Sequence, residues 1–398
     1  MTAEAAANPF LRYRDRLDSY AAARDIGWSD ADFVALVKRL DAAVAEVEGH
    51  GFVVTPLLLS DALADAVCIV AALHVKDDTG NVGGSHKARH LLGVMLHLAV
   101  TRQDEGELAI ASCGNAAVAA ATVARAVERP LRVFIPTWAD PAVVRALESL
   151  DARIEVAERR GGEAGDPTYL RFVEAVAAGA VPFSVQATST PTTLDGGRTI
   201  GWEMAEQLAG HPGRIRLFAQ VGGGALASAA WRGLREGRPE GEAMLHAVQT
   251  EACAPLHRAW RHLTDDLGGE LGLTPPDGAP DRARMFAGHT AEAQELMRAD
   301  RYMWPWEWVG ETAATGIIDD VAYDWKTVVA PMIDSGGWPI VVSEDQVVEA
   351  NRLGREHTGI DVDATGTAGL AGLLEPITRA TVASDDLVVV LFTGVRRA

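Results

Sequence analysis

The sequence predicts an α/β protein of two lobes, each a mostly parallel open sheet covered by helices. Three observations point there. Short apolar runs alternate with amphipathic stretches of helix length, the pattern of strands joined by crossover helices. Small-residue turns close several of those runs and open alanine-rich helices. At 398 residues the chain is also long enough for two cores rather than one.

The first fifty residues read as helical and rather polar. Ser29 is a natural N-cap for the stripe Phe33, Leu36, Val37 and Leu40. Strand-like runs then follow at 73–75, 108–112, 131–136, 153–157 and 181–186, and again at 216–221, 244–249 and 387–392. Helical stretches lie between them, among them 115–127 and 141–150. Residues 255–330 break the rhythm: they carry Pro275, Pro276 and Pro280 and an aromatic cluster of Tyr302, Trp304, Trp306 and Trp308. This Trp-rich insert reads as a lid or a dimer surface, and packing is the simpler role for its tryptophans.

Fifty-five acidic and 36 basic residues give a formal net charge of -19, which disfavours nucleic acid and anionic membrane as partners. Cys68, Cys113 and Cys253 are scattered, odd in number and without a CxxC, so neither a disulfide framework nor a metal site is expected. The N-terminal residues lack the pattern of a signal peptide, and no run reaches the roughly 20 apolar residues of a membrane span. The expectation is a cytoplasmic protein.

Gly83-Gly84-Ser85-His86-Lys87 closes a small-residue loop ahead of the apolar helical run Leu91, Leu92, Val94, Met95, Leu96 and Leu98. That placement suits an amine that must reach a carbonyl cofactor and form an imine, although a lysine at a helix start is ordinarily a solvated surface residue. Gly222-Gly223-Gly224-Ala225 follows an apolar run and opens an alanine-rich helix. It can serve as a phosphate cradle or as a plain tight turn. Ser112-Cys113-Gly114-Asn115 also lies between strand and helix; it can hold a carboxylate, or Asn115 can simply cap the helix. Cys113 reads as a small packed thiol rather than a nucleophile. Thr393 ends the final apolar run, at the strand end where open α/β sheets bind ligands.

Together these four segments resemble the fold type II family of pyridoxal-phosphate enzymes, the tryptophan synthase β-like superfamily. Thr55-Pro56-Leu57 is similar to the family's approach to the lysine segment. The stretch Leu194 to Thr199 before Glu203, with Ala313 to Ile318, is closest to threonine synthase-like members. The resemblance implies pyridoxal 5′-phosphate as cofactor, with Lys87 as both imine-forming residue and base at the substrate's Cα. Asn115 would bond the cofactor's ring hydroxyl oxygen, and Gly222, Gly223, Gly224 and Ala225 would cradle its phosphate, with His86 a further candidate there. Thr393 would meet the pyridine nitrogen, and its neutral hydroxyl favours elimination and replacement over transamination. Ser85, Ser112, Cys113, Gly114 and Asn115 would line the substrate side, and no metal is implied.

The same resemblance implies a large cofactor domain of 1–103 and 204–398, a smaller mobile domain of 104–203, and a homodimer. The activity it implies is a lyase acting on a small polar α-amino acid, threonine synthase-like by preference. Alternatives are a serine/threonine dehydratase or diamino-acid ammonia-lyase, and then a cysteine synthase-type β-replacement. From another class comes a non-catalytic binder of the cofactor or of a phosphate ligand. Arg89, His90 and Arg198 are the nearby cations that would favour a phosphorylated substrate. His86 departs from the phenylalanine common in synthases and dehydratases, and 184–188 lacks the asparagine-rich run usual in threonine synthases.

Overall fold

A computed structural model describes residues 7–103, 105–163 and 165–396. Among the described residues ten strands occur: β1 (Leu57–Leu59), β2 (Ala72–Asp77), β3 (Leu108–Ala111), β4 (Leu131–Pro136), β5 (Arg153–Ala157), β6 (Val181–Pro182), β7 (Ile215–Gln220), β8 (Ala243–Thr250), β9 (Pro339–Val342) and β10 (Leu387–Phe392). They form two sheets, and the chain divides into two units accordingly.

The first unit comprises residues 7–55 and 80–203. Its sheet runs β5-β4-β3-β6 and is parallel throughout. The helix Asn115–Ala126 is alanine-rich, which lets neighbouring backbones approach closely, and it is buried along most of its length. Helices Asp30–Glu48 and Lys87–Val100 pack on it. Ser29 caps the former with a full capping box, and Phe33, Leu36, Val37 and Leu40 are buried as the stripe predicts. One apolar cluster joins Phe10, Phe33, Leu91, Met95, Val118 and Trp202.

This division departs from the expected large domain of 1–103 plus 204–398. Residues 7–55 and 80–103 belong with the first unit, because the helices they contribute bury their apolar faces in that unit's core.

The second unit comprises 56–79 and 204–396. Its sheet runs β1-β2-β10-β7-β8-β9, with β1 antiparallel at one edge and every other pair parallel. β7 and β10 are buried at every position, as strands covered on both faces must be. β10 is inserted between β2 and β7, so Val389 faces both His74 and Leu217 in register.

Residues 255–330 contain regular structure. Three helices, Pro255–Leu271, Ala279–Phe286 and Thr290–Met297, pack within the second unit, the first against β9 and the third against helix Trp325–Ser335. Tyr302 is buried and donates to Asp266, while the Arg258 guanidinium lies 3.9 Å above the Trp304 ring. Trp308 is 83% exposed, so packing explains some of these aromatics and not this one.

Candidate active site

Lys87 opens the helix Lys87–Val100 and is half-buried. The loop before it is held by backbone chemistry. Gly83 and Gly84 both adopt left-handed conformations, φ 67° and 61°, which only glycine takes without strain. Asn81 bonds the Val82 N–H, and Glu48 accepts from the Gly83 N–H at 3.0 Å. Ser85 is fully buried, and its Oγ makes no hydrogen bond among the described residues, so it is available to a bound group. His86 is buried rather than solvent-facing, with its ring edge-on to His90 at 5.6 Å.

The cations flagged beside Lys87 are already engaged. Arg89 and Glu203 form an ion pair at 2.6 Å with both side chains fully buried. Arg89 also donates to the Thr199 and Thr55 hydroxyls, while the Thr55 N–H donates to Glu203 at 3.0 Å. Three sequence-distant segments are thereby tied together beneath the lysine helix. His90 Nδ1 pairs with the Thr193 carbonyl at 2.9 Å. Arg198 is paired with Asp195 at 2.6 Å and Asp18 at 2.8 Å. Burial and carboxylate or carbonyl partners hold all three.

Ser112, Cys113, Gly114 and Asn115 form the half-buried turn from β3 into the helix Asn115–Ala126. Gly114 is the N-cap, and no side chain caps this helix, so Asn115 does not play the capping role. Ser112 Oγ accepts from the Gly114 N–H at 3.4 Å, a long bond that leaves the hydroxyl hydrogen available. Cys113 packs against the unit's apolar core.

In the second unit, Gly222, Gly223 and Gly224 lead from β7 into the helix Ala225–Gly237, which also lacks a side-chain cap. Gly224 has φ +108°, so the turn needs glycine there. Sequence reasoning singled out Ala313 to Ile318 but missed the residues just beyond it that pack on this turn. A Cβ on Gly222 would lie 2.6 Å from Asp319 Oδ2 and 3.0 Å from Ile317 Cα, and the Asp324 N–H donates to the Gly223 carbonyl at 2.7 Å. Nothing local marks Asp319 or Asp324, because a loop about 100 residues downstream meets the turn only through the fold. Thr393 is buried just past β10, and its Oγ1 accepts from Gln220 Nε2 at 2.6 Å. Gln220, the last residue of β7, gave no sequence signal either.

The residues fit a phosphorylated, carbonyl-bearing cofactor. In the first unit an uncapped helix start presents amides to anions, Ser85 offers a buried hydroxyl and Lys87 supplies an amine; in the second, taken by itself, a further uncapped helix start presents amides.

Comparison with known proteins places the fold and then the family. The solved fungal L-serine ammonia-lyase from Rhizomucor miehei shares this fold, with TM-score 0.61 at 20% identity over 86% of this chain and 94% of that one. Residues 50–394 match the pyridoxal-phosphate dependent enzyme family, and the chain belongs to it. Its cofactor is pyridoxal 5′-phosphate and its architecture is fold type II. The L-serine dehydratase of Saccharomyces cerevisiae (strain YJM789) is 29% identical over 201 residues, 48% of this chain and 59% of that protein. The chain thus spans less than two-thirds of the length of that relative. The threonine synthase of Methanosarcina acetivorans is 25% identical over 346 residues, 85% of this chain and 74% of that one.

Proposed function

We propose that this chain is a lyase that eliminates a small leaving group from a polar α-amino acid, in the manner of a serine or threonine dehydratase. Bound pyridoxal phosphate supplies an electron sink for negative charge at the substrate's Cα. Lys87 would hold the cofactor through its Nζ, and the same nitrogen would serve as the base that takes the Cα proton. The Ser112 hydroxyl and the amides at Gly114 and Asn115 bind the substrate carboxylate. The amides of Gly222 to Ala225 take the phosphate, and the Thr393 hydroxyl meets the ring nitrogen.

The observation that carries the choice of leaving group is the engagement of Arg89, His90 and Arg198. With those three cations committed to protein acceptors, a phosphate-bearing substrate loses its nearest candidates for charge recognition. A threonine synthase-like replacement is the second reading. What favours it is the threonine synthase match, which extends over 85% of the chain against 48% for the dehydratase. A cytoplasmic homodimer belongs to either reading, and light scattering of the purified chain tests the dimer.

Adding the cofactor to purified protein should colour it yellow, and borohydride should then lock the cofactor onto the Lys87 peptide. Serine, threonine and diaminopropionate should yield a keto acid and ammonia. Release of phosphate from phosphohomoserine, with no keto acid from those three, would transfer the assignment to the synthase. Protein that takes up no cofactor would leave neither.

A further inference from the structure

Glu48 breaks the pattern of its own helix. In the helix Asp30–Glu48 the buried residues are Phe33, Leu36, Val37, Leu40 and Val44. The intervals of three and four that join them put position 48 next on the same stripe, where an apolar side chain is expected. A carboxylate stands there instead, and it is half-buried. It is also the helix's last residue, and no basic side chain shares that final turn, so its charge faces the negative end of the helix dipole. A residue in conflict with both stripe and dipole calls for a compensating partner.

That partner is the Gly83 N–H, which Glu48 Oε1 accepts at 3.0 Å. Gly83 and Gly84 are consecutive left-handed glycines, a pair with wide conformational freedom, and Lys87 follows a few positions later. Within the loop, Asn81 takes the Val82 N–H with its side chain and the Gly84 N–H with its carbonyl. The Gly83 amide between them is held from outside the loop, by Glu48. Gly83 lies against Ala119, on the helix that also carries the Asp30–Glu48 helix. The start of the Glu48 helix is fastened in turn by the Arg14–Asp30 pair at 2.6 Å. Glu48 precedes the span matched to the family, residues 50–394, so this anchor comes from outside that span.

We propose that Glu48 is a positioning residue: by holding the Gly83 amide it sets the glycine loop that aims Lys87, so the segment ahead of the family span takes part in loading the cofactor. The proposal rests on the role given to Lys87 above. Glu48 acts by reducing the arrangements open to the glycine pair before the cofactor arrives, a cost otherwise met at binding. The role needs an oxygen acceptor of that reach, not the charge.

Two measurements on the full chain test this. One is equilibrium titration with pyridoxal phosphate, read at the visible band. The other is amide hydrogen exchange of the cofactor-free chain across 81–87, read by mass spectrometry. Glu48→Ala should weaken cofactor affinity about tenfold, the worth of one hydrogen bond to a charged group, and should speed that exchange. Its Tm without cofactor should stay within about 2 °C of wild type, since a charge opposed to the helix dipole leaves with the carboxylate. Glu48→Gln keeps an acceptor at equal length and should restore both affinity and slow exchange. Glu48→Asp, one methylene shorter, should behave as Glu48→Ala does. Unchanged affinity in Glu48→Ala, or weaker affinity without faster exchange, would overturn the proposal. So would a Glu48→Gln variant no better than Glu48→Ala. Wild-type chain that loads no cofactor on Lys87 overturns the functional reading beneath, while the exchange comparison still decides whether Glu48 anchors the loop.

Discussion

Arg89 and Glu203 stand 114 positions apart and share no solvent. Such a pair adds little net stability relative to an apolar substitute, yet removing one partner strands the other. Glu203→Gln should therefore destabilise the first unit by about 3–5 kcal/mol, read as a fall in the denaturant midpoint. Asp18→Asn, which removes the exposed partner of Arg198 while Asp195 remains, should change stability by less than about 1 kcal/mol. Equal effects of the two would refute the assigned burial logic. Lys87→Ala should abolish covalent trapping of the cofactor by borohydride, with mass spectrometry of the peptide as the check. At this scale the sequence singled out Lys87, Ser112, Asn115 and Thr393 as candidates, because each follows a local strand-to-helix or strand-end signal. It did not reveal the partners: a buried arginine is indistinguishable from a surface one until the chain folds, and Gln220 and Asp319 matter only through contacts made at long range.

Local chemistry also explains which elements were legible. The runs at 131–136, 153–157 and 387–392 coincide with β4, β5 and β10, since a bounded apolar run long enough for a strand has few alternatives. The run at 181–186 shrinks to the two residues of β6, because beyond Pro182 the backbone leaves the edge of its sheet. β1 and β9, of three and four residues, went unread. The helix Lys87–Val100 depends on the turn ahead of it. Gly84→Ala forces a side chain into the left-handed region and should destabilise the loop by about 1–2 kcal/mol. It should also weaken cofactor affinity, measured by equilibrium titration of the visible band. An alanine variant with unchanged affinity would show that the turn does not set the lysine.

In the second unit folding pushes His74, His246 and His257 toward the neutral form, the last two most strongly. Burial, reinforced by Arg216, holds His246 well below the ordinary imidazole range, and burial with Arg261 and Arg282 lowers His257 to about 4. Above pH ~6.5 both are neutral folded or unfolded and contribute nothing to the pH dependence. Below it the unfolded chain takes up protons that the folded chain refuses, so stability falls, and for His257 the loss levels off near pH 4. Tm measured down this range should drop, and His257→Gln should reduce the slope. An unchanged slope would count against the burial argument. The position of β10 has a different consequence, one of timing. β2 and β7 are united only by a strand about 300 positions beyond β2, so the ribosome must release residue 392 before that sheet can close. Until then two strand edges stand unpaired, and refolding from denaturant should be slow and should aggregate with rising protein concentration.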